Sequence, residues 1–402
     1  EGMQHNFAEY TARWLKYNVF MVDNGSNAGN PGNMGAAFIT FMKNIQKSYY
    51  KKMCEGCQVS LETMEERKGA EPLVSVIMPV FNGSEYVAAC INSICNQSLQ
   101  AIELICINNG STDDTQQLLN YFAARDSRIH VFYQEEPNQR TARNWGYNLA
   151  KGKYVYLIDS DDYLDTRALE LLVNAAEKKE ADVLYFFFRE VRTTLNTVRA
   201  RPRWFCYRRF FPEDKIFKLD EEYYKFFIQY PFPWAKLMRR DFVIDNSLYF
   251  DLDCSNFDDN PHNLRVLLMA KNAYVYNEQF YNFRIHEKSM TQSKSARILG
   301  MIEAIQIMNK IYKDFDCYNL YAKWYVPYKI YLVAWAWTLV PQELKEKYYI
   351  NVRNLFFPED ECYFRNDFVW SYYEIPSNAY LGQVKKMLEV NYEEFIEQEG
   401  EA

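Results

Sequence analysis

From Leu73 to Phe188 the chain repeats one unit: an apolar run of strand length, a polar loop, then a stretch with helical spacing. Leu73-Val-Ser-Val-Ile-Met-Pro-Val80 and the runs at 102–107, 129–133, 154–158 and 181–188 read as strands. The intervening stretches 85–99, 113–125, 141–150 and 166–179 read as helices, the first with Ser84 as its expected N-cap. Continuous apolar, β-branched runs indicate strands covered on both faces. Strands alternating with helices at this interval specify an α/β fold, a mostly parallel sheet flanked by helices. In such sheets ligands bind beyond the carboxyl ends of the strands. Chemistry is therefore expected in the loops after Val80, Ile107, Tyr133 and Ile158.

The remainder of the 402 residues is divided by texture. Residues 1–71 read as a helical N-terminal appendage broken by a Gly/Asn loop at 24–35, residues 72–292 as the α/β domain, and residues 293–402 as a C-terminal helical domain. A net charge of −7 argues against nucleic acid as a partner. The nine cysteines are odd in number, and several sit in apolar runs, so they read as reduced thiols of a cytoplasmic protein. Cys54 and Cys57 form a lone CxxC without a second pair to complete a zinc site. No leader is read at the start, and no run reaches the roughly 18 apolar residues of a spanning helix. Aromatic residues make up 17% of the chain. They concentrate after Trp204, where Trp324 to Val340 reads either as a core helix or as a helix lying in a membrane interface. Arg199, Arg201, Arg203, Arg208 and Arg209 read either as a solvated loop or as a basic contact for anionic lipid or a phosphorylated acceptor.

The fourth loop holds Asp159-Ser-Asp-Asp162. Asp159 and Asp161 are two apart, so on extended backbone they share a face. Paired hard oxygens there suit Mn2+ or Mg2+ carrying a diphosphate, and helix capping is the plain alternative. The first loop is Pro79-Val-Phe-Asn-Gly-Ser84, and the second, Asn108-Asn-Gly-Ser-Thr-Asp113, carries amides suited to a base edge. The third opens a helix with Arg140 and Arg143 near its N-terminus, where phosphate is favoured.

This ordered set resembles the family 2 glycosyltransferases of the bacterial surface-glycan type, whose catalytic domain has the GT-A fold. The carrying pieces are Val-Ser-Val-Ile-Met-Pro-Val-Phe-Asn (74–82), Asn-Asn-Gly-Ser-Thr-Asp (108–113), Ala-Arg-Asn-Trp-Gly (142–146) and Asp-Ser-Asp-Asp (159–162). The resemblance implies an inverting, metal-dependent transferase that uses a nucleotide-diphosphate sugar. It would act on a saccharide or lipid-linked glycan, peripherally at the inner face of the cytoplasmic membrane. By that likeness the donor would lie against Pro79, Phe81, Asn82, Asn108, Asn109, Ser111, Arg140, Arg143, Asp159 and Ser160. Asp161, with Asp159, would hold the metal, and His286 would be a third ligand, a diphosphate contact or a structural histidine.

The family usually carries Asp where Asn108 or Asn109 stands, and a carboxylate accepts from uracil N3–H. An amide can also donate, which leaves UDP favoured and admits cytosine. Gln139-Arg-Thr141 replaces the usual glycine-containing phosphate loop, which gives Arg140 an expected phosphate contact. Asp259 is the expected general base, with Asp258 second. Trp234 and Lys236 are expected on the acceptor side, with core burial an equal reading of Trp234. The rival readings are a nucleotidyltransferase, which lacks its basic Gly-rich loop here, and a non-catalytic glycan-binding or scaffolding protein.

Overall fold

The computed structural model describes residues 71–192, 197–199, 211–212, 214–286, 295–365 and 377–400. Residues 1–70 of the appendage, with Cys54 and Cys57, and Arg201, Arg203, Arg208 and Arg209 lie outside the described residues.

The first four strands are β1 (Val74–Val80), β2 (Ile102–Asn109), β3 (Ile129–Gln134) and β4 (Tyr154–Leu157). Then come β5 (Tyr163–Leu164), β6 (Val183–Arg192), β7 (Thr197–Arg199), β8 (Ile216–Lys218), β9 (Lys236–Arg239) and β10 (Ala273–Ile285). They form one sheet ordered β3-β2-β1-β4-β9-β6-β10-β5, with β7 on β6 and β8 on β10. The half from β3 to β4 is parallel, as expected. Every residue of β1 and β2 is buried, which is why their sequences run apolar without alternation. Past β4 the sheet is mixed: β9 runs antiparallel to both β4 and β6, while β10 is parallel to β6. A four-residue strand is too short to show a period, so Lys236–Arg239 carried no sequence signal of its own direction.

Among the described residues seven helices accompany the sheet: α1 (Val87–Cys95), α2 (Thr115–Ala123), α3 (Gln139–Leu149), α4 (Ala168–Lys179), α5 (Glu221–Phe227), α6 (Arg240–Asp245) and α7 (Asp259–Met269). Ser84 does not cap α1, which starts three residues later. Its backbone N–H is instead held by Asp113 Oδ2 at 3.1 Å, tying the first loop to the second. Asn138 caps α3 by accepting from Thr141 N at 3.2 Å. Gly146 lets α3 lie directly on β1, because a Cβ there would meet Ile77 Cγ2 at 2.2 Å. That close approach brings the N-terminal half of α3 to the carboxyl ends of the strands.

Among the described residues five helices follow: α8 (Gly300–Asp314), α9 (Tyr318–Leu339), α10 (Lys345–Val352), α11 (Ser377–Glu389) and α12 (Tyr392–Gly400). The 22-residue α9 holds most of the aromatic run left open between core and membrane interface. Tyr325, Val326, Tyr328, Ile330, Leu332, Val333 and Trp337 are all buried, so it is a core helix. No helix among the described residues is long and apolar enough to cross a membrane. Lys329 of α9 and Asp360 are both fully buried and paired at 2.6 Å. Tyr318 Oη donates to Asp360 Oδ1 at 2.5 Å, and Lys329 Nζ donates to Leu355 O at 3.0 Å. The ion pair is thus satisfied on both sides, the condition for tolerating charge in a core.

Candidate active site

The four loops meet at the carboxyl ends of the parallel strands, and the first two are laced together by backbone and amide groups. Asn82, at a left-handed φ of 48°, donates through its N–H to Ser111 Oγ and accepts through Oδ1 from Thr112 N at 2.8 Å. Gly83 N donates to Thr115 Oγ1 at 2.9 Å. Burial opposes the ionisation of Asp113, but hydrogen bonds from Thr115 and Ser84 outweigh it and hold the carboxyl at about 2. Phe81, by contrast, stands exposed beside this lacing.

Asn108 and Asn109, the two amides expected at a base edge, are both engaged internally. Asn108 is fully buried, donating to Gln116 Oε1 at 2.6 Å and accepting from Ser111 N at 3.0 Å. Asn109 is 5% exposed, and its Oδ1 accepts from both Gln134 Nε2 (2.9 Å) and Asn138 N (2.6 Å). Both lone pairs of that oxygen are therefore used, and it has no acceptor capacity left for a uracil N3–H.

The acids after β4 separate into three roles. Asp162 is buried, accepting from Tyr281 Oη at 2.5 Å and Arg284 N at 2.6 Å, so it ties the loop to β10. Burial pushes its carboxyl well above the usual range. The Asp161 side chain is 36% exposed and meets His286 Nε2 at 3.0 Å. His286 in turn stacks on Tyr86 at 4.7 Å. Asp159 faces the other way along the site, toward Arg143 Nη2 at 3.4 Å.

Arg143 is the hub. The residue is 4% exposed, and its Nη1 lies 2.7 Å from Asp259 Oδ1 and 3.6 Å from Asp258 Oδ2. Its guanidinium also sits over the Phe250 ring at 4.9 Å. One cation on α3 thereby joins the acid after β4 to the acid pair opening α7. Arg140 makes the neighbouring tie, donating to Ser255 O at 2.5 Å. Burial, reinforced by the charges of Asp161 and Asp259 and opposed by Arg143, pushes Asp159 up to about 6. Burial and the adjacent Asp259 likewise push Asp258 well up.

Of the expected site residues, Asp159, Asp258 and Asp259 all lie within 4 Å of the Arg143 guanidinium, which the sequence reading assigns to phosphate. Asp161 and His286 are in contact, whereas Asp159 is engaged by Arg143. Among the described residues no three His, Cys, Asp or Glu side chains are gathered as a finished ligand set.

The acceptor-side pair is placed elsewhere. Trp234 is buried, stacked on Tyr281 at 4.2 Å and 7° and on Phe232 at 4.9 Å and 23°. The indole expected to face a sugar is covered by aromatic rings, the core reading of this residue. Lys236 is 0% exposed and donates to Asn263 Oδ1 at 2.7 Å. Burial lowers its ammonium to about 7, so between that pH and the usual lysine value the unfolded chain binds the extra proton. Stability should therefore rise with pH in this window. Urea unfolding at pH 7 and pH 9 should show Lys236→Met losing about 2 kcal/mol of that rise. An unchanged slope in the variant would place Lys236's charge elsewhere than in this buried contact.

Residues 75–245 match the model of the glycosyl transferase family 2. Over 221 residues the chain is 30% identical to the uncharacterized glycosyltransferase EpsJ of Bacillus subtilis, a match covering 55% of this chain and 63% of that protein. It is 26% identical to glycosyltransferase GlyG of Streptococcus pneumoniae, over 55% of this chain and 74% of GlyG. The chain therefore spans less than two thirds of EpsJ. A crystal structure of S. aureus TarS 1-349 in complex with UDP-GlcNAc superposes with a TM-score of 0.50 at 18% identity. That match covers 78% of this chain and 90% of the TarS chain, a likeness of fold.

Proposed function

We propose that this chain, whose residues 75–245 match the glycosyl transferase family 2 model, moves a sugar from a UDP-sugar to a hydroxyl of a saccharide or lipid-linked glycan, with inversion at the anomeric carbon. The observation that carries this reading is the bridge from Asp159 through Arg143 to Asp259, which sets an acid that would border the donor diphosphate beside an acid that can take a proton. Asp259 is 34% exposed, accessible to an acceptor hydroxyl, while Asp258 is buried behind it. In the proposed step Asp259 accepts the hydroxyl proton, the acceptor oxygen bonds to the anomeric carbon, and the bond from that carbon to the diphosphate oxygen breaks. Arg143 holds the Asp259 carboxylate in one orientation throughout, so no reorganisation is needed as the proton arrives. Asp161 and His286, in contact at 3.0 Å, would be the residues to hold Mn2+ or Mg2+, which would neutralise charge on the leaving diphosphate, while Asp159 stays engaged by Arg143. With its oxygen engaged, Asn109 can offer a base only its Nδ2 hydrogens, so a base carbonyl or an unprotonated ring nitrogen is the group it would meet.

The test is a thermal-shift and hydrolysis panel over UDP-, CDP- and GDP-sugars with and without Mn2+. UDP-sugars with Mn2+ should raise the midpoint and be hydrolysed. Asp161→Ala, shown folded, should lower hydrolysis and transfer about a hundredfold or more. Wild-type turnover by that variant would refute the metal assignment. No shift with any nucleotide sugar would instead favour a non-catalytic glycan-binding or scaffolding protein.

A further inference from the structure

The loop that delivers Asp258 and Asp259 is braced from the C-terminal helices, outside the segment that matches the family model. Glu303 of α8 accepts from Ser255 N at 2.6 Å. The start of α8 presses on the same loop without a side chain between them, since a Cβ on Gly300 would meet Asn256 N and Ser255 Oγ at 2.8 Å. Phe257 holds a left-handed φ of 61° and sets its ring edge-on to Trp335 of α9 at 5.8 Å. A bulky residue stays in that conformation only where its surroundings over-determine it. The deepest brace is Tyr328 of α9, whose buried hydroxyl donates to Asn260 Oδ1 at 2.6 Å. Asn260 Nδ2 donates onward to Phe257 O at 3.2 Å, which closes the turn around the acid pair.

Resting on the transfer reading above, we infer that Tyr328 is a positioning residue for the general base. Through Asn260 it fixes the first turn of α7, on which Asp259 stands, so that the C-terminal helices complete a site whose donor half lies in the family domain. A base displaced by about 1 Å costs about a hundredfold in rate. Tyr328→Phe deletes one hydroxyl and leaves the ring in place, with Glu303 and Trp335 still holding the loop. It should lower kcat for sugar transfer about tenfold, with the KM for the UDP-sugar and the thermal shift by UDP unchanged. Asn260→Ala should lower kcat by a similar factor, and the double variant should lose no more than the worse single. A merely structural hydroxyl would lower Tm and leave this non-additivity and the kcat-against-KM split unmoved. Hydrogen exchange over residues 254–262 of the full chain gives a second reading that needs no turnover. Exchange there should quicken in Tyr328→Phe while α1 to α3 keep their protection. Wild-type kcat, multiplicative losses in the double variant, or unchanged exchange at 254–262 would each overturn the inference. Absence of transfer in the wild type would count against the proposed reaction instead, and the exchange result would still decide the brace.

Discussion

Asp259→Asn should abolish transfer almost completely, lowering kcat about a thousandfold while leaving the donor KM within about threefold of wild type. The amide keeps the shape of the carboxylate and can still accept from Arg143 Nη1, which lies 2.7 Å away, so the loop need not move. What it cannot do is take a proton from the acceptor. Asp258→Asn should cost far less, about tenfold, because that carboxyl is buried and stands 3.6 Å from the same guanidinium. Initial rates of UDP release with acceptor, compared with slow release without it, separate the two. Should Asp258→Asn prove the more damaging, the two acids would exchange roles.

Asp360→Ala should produce the largest loss of stability, about 3–5 kcal/mol, because it strands the Lys329 ammonium where no water reaches it. Burial already lowers that ammonium to about 8 even with its partner present. The Tyr318 hydroxyl and the Phe357 N–H lose their acceptor in the same variant. Replacing both members, as in Lys329→Met with Asp360→Leu, should recover most of the loss, since no charge is then buried. Urea midpoints of the single and double variants make the comparison. A single variant within about 1 kcal/mol of wild type would mean that the pair is not buried in solution. Lys329 follows Tyr328 directly on α9, so the ion pair lies next in sequence to the hydroxyl that holds Asn260.

The legible part of this protein is its parallel half from β1 to β4, and the reason is physical. β1 and β2 are buried on both faces, so their sequences state their structure without tertiary information. Asp159 and Asp161 lie immediately after such a strand, and their position follows from the strand alone. The acid pair opening α7 could be named from its own residues, but nothing local says that Arg143 would reach it across 116 positions. The internal hydrogen bonds of Asn108 and Asn109 were not legible, because an amide's capacity is visible in sequence and its occupancy is not. For Trp234 the sequence left sugar face and core burial as equal readings, since a face for sugar and a face for Tyr281 are one surface. Tyr328 and Glu303 had no signal, being one tyrosine among 33 and one acid among many on helices with ordinary patterning.

The bracing of the Asp259 turn by α8 and α9 also bears on how the molecule comes into being. On a ribosome the strands β1 to β4 emerge first and can close their parallel sheet on local connections, whereas the groups that steady the base are made later than the base itself. Competence to hold a nucleotide and competence to spend it would thus arrive in sequence. A chain caught between them would bind its donor without discharging it.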